Sequence, residues 1–226
     1  SVAFFSDCNS IATSCFDNTV KLWNFHGEEI KTFKGHENSV NSVAFSPDGN
    51  TIATSSEDKT VKLCNFHGEE IITFIGHNKE VISVAFSPDG NTIASASNDN
   101  VKLWNLQGEE IRTFKKEVVK SIVFSPDGNI IATAGGGNTV RLWNLQGEVI
   151  KTLTEYEYDY LVNSVAFSPY GSTIATAGGD YTVKLWNFDL DDLLVRGCNW
   201  ARDYLKNNAN LRKEDRELCD GIGKEK

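Results

Sequence analysis

The chain has 226 residues, is 40% hydrophobic and 23% charged, and carries a formal net charge of −9. That length supports one large domain with a real core, while the lack of any Lys/Arg cluster excludes nucleic acid as a partner. No apolar run approaches the roughly 18–20 residues of a membrane span.

From the N-terminus the sequence repeats itself. "SVAF" or a variant begins at Ser1, Ser42, Ser83, Ser121 and Ser164. Each recurrence is followed by relatives of "TIATSS", "TVKLWN" and "EEIKTF". Self-similarity at a period near 40 residues marks a repeat architecture. Each piece is short and rich in Val, Ile, Thr and Phe, as strands are. Turn chemistry separates them. "SPDG" at Ser46–Gly49, Ser87–Gly90 and Ser125–Gly128 places Pro where φ near −65° is wanted and Gly where φ is positive. "NFHG" and "NLQG" end in Gly and suit tight hairpins. Four antiparallel strands per unit follow. Such a sheet has two apolar faces, and radial stacking of copies covers both.

The units are expected at 1–41, 42–82, 83–120, 121–163 and 164–187, the last lacking its fourth strand. A helical extension is expected over 188–226. Leu190, Leu193, Leu194, Cys198, Ala201 and Leu205 recur at helical spacing, and a second helix is expected from about Leu211 to Cys219. These helices cap the last sheet and shield its edge; a partner-docking helix is the alternative. Five cysteines occur, at 8, 15, 64, 198 and 219, with no Cys-x-x-Cys pair. Free thiols of a reducing, cytoplasmic compartment are expected, with a Cys198–Cys219 bridge as the less favoured alternative.

"GH" at Gly35-His36 and Gly76-His77, an acid before the third strand, and "VKLWN" together resemble the WD-repeat (Trp-Asp repeat) β-propeller family. The tail resembles bacterial, especially cyanobacterial, members. The resemblance implies an all-β fold of five visible four-stranded blades. It also implies a hydrogen-bonded set in each blade: His from the "GH" loop, Ser or Thr on the second strand, Asp in the next turn, Trp on the third strand. Only the third unit is complete, with His77, Ser95 or Ser97, Asp99 and Trp104. The second has His36 and Asp58 but Cys64 in place of Trp. The first and fifth have Asp17 with Trp23 and Asp180 with Trp186, without His; the fourth has Gly137 in place of the acid. Family propellers usually have seven blades. The chain contains no Met and begins within a repeat, so a C-terminal fragment forming an open arc is expected, with a closed five-bladed ring as the alternative.

A Ser, a His and an Asp in proximity invite a catalytic reading, but no nucleophile elbow accompanies them and no His/Cys spacing suits zinc. No enzyme activity, cofactor or metal is therefore expected. The outlying stretch is "TEYEYDYLV", Thr154 to Val162, where sister units read "FKGHENSV" and "FIGHNKEV". By strand order Tyr156, Tyr158, Tyr160 and Tyr181 share one rim. Tyr combines rigid area with a polar tip and favours interfaces. A protein-binding patch is one reading; loop drift with local packing is the other. The function expected is a protein-interaction scaffold or sensor, which the family often places behind an upstream effector domain. The rivals are a small-molecule or peptide binder using the channel, and a nonfunctional fragment.

Overall fold

The computed structural model describes residues 1–5, 10–114, 118–154 and 161–188, and in the tail Cys198, Ala201, Arg202, residues 204–208, Glu217 and Cys219. Five antiparallel sheets follow one another along the chain. The first holds β1 (Val2–Phe4), β2 (Ser10–Ser14), β3 (Val20–Asn24) and β4 (Glu29–Phe33). The second holds β5 (Val40–Phe45), β6 (Thr51–Ser56), β7 (Thr60–Asn65) and β8 (Glu70–Ile75). The third holds β9 (Val81–Phe86), β10 (Thr92–Ser97), β11 (Val101–Asn105) and β12 (Glu110–Thr113). The fourth holds β13 (Val119–Phe124), β14 (Ile130–Gly135), β15 (Val140–Asn144) and β16 (Val149–Leu153). The fifth has three strands, β17 (Val162–Phe167), β18 (Thr173–Gly178) and β19 (Val183–Asn187).

Alternation along each strand sends side chains to opposite faces, and the sheets stack through those faces. Ala12, Val20, Leu22 and Phe33 of the first sheet meet Val40, Val43, Ile52 and Cys64 of the second. The same positions recur at each later junction: Val61, Leu63 and Phe74 meet Val81, Val84, Ile93 and Trp104. Each buried Val, Leu, Ile or Phe contributes about 1.5–3 kcal/mol before entropy is subtracted, so the junctions dominate stability. First strands lie side by side in chain order and are stitched by polar groups. Asn41 Nδ2 donates to the Val81 carbonyl at 3.0 Å, and the Ser83 and Ser121 hydroxyls accept from the Ile122 and Val165 amides at 3.2 and 3.3 Å.

The "SPDG" turns are built by their own side chains. Ser46 Oγ donates to Asp48 Oδ1 at 2.6 Å, and Asp48 accepts from the Asn50 amide and side chain. The Ser46 hydroxyl is the main reason that the Asp48 carboxyl sits below its ordinary range. Ser87–Asp89 and Ser125–Asp127 repeat the arrangement. Gly90, Gly128 and Gly171, all near φ +74°, rest against Pro47, Pro88 and Pro126 of the preceding sheet. In the fifth sheet Tyr170 stands where the others have Asp and is fully solvated.

The stack is an open arc. Val2 and Phe4 are exposed on the free face of the first sheet, and Val183 and Leu185, 70% and 73% exposed, on that of the fifth. Their counterparts elsewhere, such as Val20, Leu22, Val140 and Leu142, are buried. Val183 and Leu185 on this last face stand in water. Cys198, Ala201, Arg202 and residues 204–207 are helical, as the apolar spacing predicts. Of the second expected helix, Glu217 and Cys219 are in turns, and the remainder lies outside the described residues. The free-thiol expectation is also corrected for two cysteines. Cys198 and Cys219 are both buried and form a disulfide with Cα atoms 5.3 Å apart. Cys15 and Cys64 are free thiols; Cys8 lies outside the described residues. Burial pushes the Cys64 thiol up to about 11, which keeps it protonated and unreactive.

Candidate interaction site

Strands run alternately up and down, so loops sort to two rims. One rim carries the loops into each first strand and the turns between second and third strands. The hydrogen-bonded sets lie just beneath it. In the second sheet His36 Nδ1 donates to Asp58 Oδ2 at 2.7 Å, and His36 Nε2 meets Thr54 Oγ1 at 2.8 Å. Asp58 also accepts from the Glu37 amide and from the amide and hydroxyl of Thr60. One carboxylate thereby ties the incoming loop to the second-to-third turn. Burial pushes Asp58 upward, but the Thr60 and His36 hydrogen bonds bring it below its ordinary value.

In the third sheet Ser95 Oγ sits between His77 Nε2 at 2.7 Å and Trp104 Nε1 at 2.8 Å. The hydroxyl donates to the imidazole and accepts from the indole, using both its capacities. His77 Nδ1 stands 3.6 Å from Asp99 Oδ1, too far for a hydrogen bond. Ser97, the other candidate, donates instead to Asp99 Oδ1 at 2.6 Å. Thus the structure groups His77, Ser95 and Trp104 tightly and leaves Asp99 at their margin. Trp23, Trp143 and Trp186 each donate to a second-strand threonine: Thr13, Thr133 and Thr176. The threonines were not singled out in the sequence. The signal was there, because Thr13, Thr54, Thr133 and Thr176 share the repeat position of Ser95.

Burial is the first cause that lowers both histidines, His77 to about 4, and it outweighs the neighbouring carboxylates. An imidazole depressed in the fold is neutral there while the unfolded chain, with its ordinary value of 6.5, takes up protons first. Its stabilising share is complete above pH 6.5 and is lost as pH falls toward 4. The melting temperature should therefore drop across that window, and His77→Gln should flatten the drop. Asp58 and Asp99, lowered from 3.8, add their loss only below that value.

His36, Asp58, Thr54, Ser95 and Trp104 bond to one another or to their own loops beneath the surface, which is the geometry of a brace, while His77 Nδ1 is buried without a hydrogen-bond partner. What the rim presents to solvent is different. Tyr181 is 99% exposed with φ +63°, in the turn where Asn18, Lys59 and Asn138 also take positive φ. A left-handed conformation is costly for a bulky residue. Asp180 secures the turn by accepting from the Thr182 amide and hydroxyl. The Gly179 amide donates to the Leu161 carbonyl at 2.9 Å, joining this turn to the end of the loop that precedes β17. Tyr156, Tyr158 and Tyr160 in that loop lie outside the described residues. A second rim feature is a concavity of about 430 Å³ where first strands converge, bordered by Asn41, Ile82, Lys120, Glu57 and Glu80. Among the described residues no group of three or more His, Cys, Asp or Glu is placed to hold a metal, and no helix is long and apolar enough to cross a membrane.

Two family models match the chain. Residues 1–159 match the family described as the IFT122 first beta-propeller. Residues 147–187 match the WD domain, G-beta repeat. Comparison with curated proteins finds no match.

Proposed function

Because the chain belongs to the IFT122 first beta-propeller family, a family of WD-repeat propellers, we propose that it acts as a non-enzymatic protein-interaction scaffold. The observation that carries this reading is the division of labour at the rim. The Ser–His pair that could suggest hydrolytic chemistry, Ser95 and His77, is buried, and His36 and Asp58 are tied to each other and to Thr54 and Thr60 beneath the surface. What remains for a partner is shape and side-chain variety, above all the fully solvated Tyr181 beside the entry to β17. Aromatic residues of this kind anchor protein interfaces.

In this reading Tyr156, Tyr158, Tyr160 and Tyr181 form the contact patch. The propeller serves as a sensor or assembly platform, in a bacterial-type protein whose effector domain lies elsewhere in a longer chain. The resemblance of the tail and repeats supports that part. The Cys198–Cys219 bridge favours an oxidising compartment over a cytoplasmic one. The channel-binding alternative would use the concavity bordered by Glu57, Glu80 and Lys120. Replacing Tyr156, Tyr158 and Tyr160 together with alanine is expected to abolish retention of partner proteins by the immobilised chain, identified by mass spectrometry. The melting temperature should stay unchanged. A matching fall in melting temperature would assign the tyrosines to local packing instead.

A further inference from the structure

On the rim of the first-to-second and third-to-fourth turns, three rings close the junction of the first and second sheets. Phe5 of the first sheet lies 5.2 Å from Phe45 and 5.0 Å from Phe66 of the second, centroid to centroid. At the junction of the third and fourth sheets the same repeat positions hold Ser87, Phe124 and Leu145. The ring that Phe5 supplies has no counterpart there. At the other junctions the residue in the Leu145 position packs against the core, as Phe66, Leu106 and Phe188 do. Leu145 is 38% exposed and stands outside the core of its own junction. The result is a cavity of about 290 Å³ between the two sheets.

Its walls are of two kinds. Pro88, Leu103 and Ile111 from the third sheet and Phe124 and Leu145 from the fourth are apolar, whereas Asp89 and Asp127 of the two "SPDG" turns are acidic. Each carboxylate accepts from the serine hydroxyl of its own turn and from the amide and side chain of the asparagine two residues on. These bonds, the serine's first, hold both carboxyls below their ordinary range, so both are charged at neutral pH. An ionised carboxylate offers about four acceptor sites, which leaves each with room for one more donor. Among the described residues that line the cavity there is no Lys, Arg or His. Its negative charge is therefore unanswered from within, and a ligand that displaces water from it must bring the opposite sign. Small-molecule sites span about 300–1,000 Å³, so a cavity at the lower end of that range takes one ring and a short chain.

We propose that this cavity binds a small arylalkylamine, with its ring against Phe124 and Leu145, as Phe5 lies against Phe45 and Phe66, and its ammonium donating to Asp89 and Asp127. Phe5 shows that a ring fits between these repeat positions, and the two carboxylates set the charge. The ring gains apolar contact and aromatic packing on Phe124, and the ammonium makes charge-assisted hydrogen bonds to the acceptor sites left open. An aryl carboxylate would be repelled by both aspartates. An alkylammonium without a ring would leave the apolar walls uncovered.

This site lies on the rim opposite Tyr181 and goes beyond the scaffold reading. The test is isothermal titration calorimetry of the full chain with phenethylamine. Butylamine supplies the cation without the ring, and phenylpropionate the ring without the cation. Saturable binding is expected for phenethylamine, and binding weaker by about tenfold or more for the other two. Leu145→Phe installs the residue that Phe66 and Phe188 provide at this repeat position. It should fill the cavity and abolish binding without lowering the melting temperature. Asp127→Asn should weaken binding by about tenfold or more. In the unaltered chain the methyl resonances of Leu103, Ile111 and Leu145 should shift on titration, which locates the ligand even should a variant misfold. No saturable binding, equal binding of butylamine or phenylpropionate, binding unchanged in a folded Leu145→Phe or Asp127→Asn variant, or shifts confined to other methyls would each overturn the proposal.

Discussion

Replacing Trp104 with alanine is expected to cost about 3–5 kcal/mol of stability. That would lower the melting temperature by about 10 °C for a chain of this size. The ring is 1% exposed at the junction of the second and third sheets. It meets Phe74 edge-on at 5.7 Å and His77 at 6.0 Å, and Lys102 Nζ lies 5.7 Å from its centroid. Gly76 is pressed so close that a Cβ there would be 2.9 Å from the indole. Truncation removes this packing, opens a cavity between two sheets, and takes the indole N–H from Ser95. Trp104→Phe keeps most of the ring and loses the N–H, so it should cost only about 1–2 kcal/mol. Trp23 provides the control. It has the same repeat position, but it lies on the free face of the first sheet beside Val2 and Phe25 and is only half-buried. Trp23→Ala should cost less than half as much. Equal losses in denaturant titrations would show that the tryptophan stabilises its own sheet rather than the junction.

The converse change, Cys64→Trp, should stabilise the protein by about 1–2 kcal/mol: burial gain plus one hydrogen bond, less some repacking strain. Cys64 holds the tryptophan position of the second sheet. Phe33 stands in the first sheet where Phe74 stands in the second, both in the same cluster as their partner. The space exists. The atoms nearest a Cβ at Gly35 are 3.7 Å away or more, whereas the corresponding Gly76 is in contact with indole. A partner exists too. Thr54 Oγ1 meets His36 Nε2 at 2.8 Å, as Ser95 meets His77, and its hydroxyl can still accept from an indole N–H. A rise of several degrees in melting temperature is the expected result. A fall would mean that Phe5, Phe45 and Phe66, clustered nearby with centroids 5.0–6.3 Å apart, have taken the slot.

Much of the architecture was legible because repetition multiplies weak signals. A single "TIATSS" is ambiguous between strand and loop, but five relatives of it at a period near 40 residues, each bracketed by a relative of "SPDG" and a relative of "VKLWN", are not. The pattern left an open arc and a closed ring both possible, and the solvated outer faces of the first and fifth sheets, with Val2, Phe4, Val183 and Leu185 exposed, show the arc. Other features depend on what meets in space. Ser95 and Ser97 are two residues apart on one strand, so both point to the same face. Only the depth of His77 decides which of them it meets. Thr54 carries no signal in its own stretch and is identified only by standing at the repeat position of Ser95. The Cys198–Cys219 bridge could not be chosen from spacing, since its Cα separation of 5.3 Å is set by how the tail folds back on itself. The tyrosines of "TEYEYDY" stand where the sister units read "FKGHENSV" and "FIGHNKEV", and a segment so unlike its counterparts takes no template from the repeat.

The sheets meet through nearly the same residues at every junction, and each touches only its neighbours. A unit gained or lost by unequal exchange between these near-identical copies would therefore leave every surviving junction chemically intact. Array length is free to drift over evolutionary time while the joint itself is held constant, so novelty in this molecule accumulates where no copy constrains another: at its ends and in its loops.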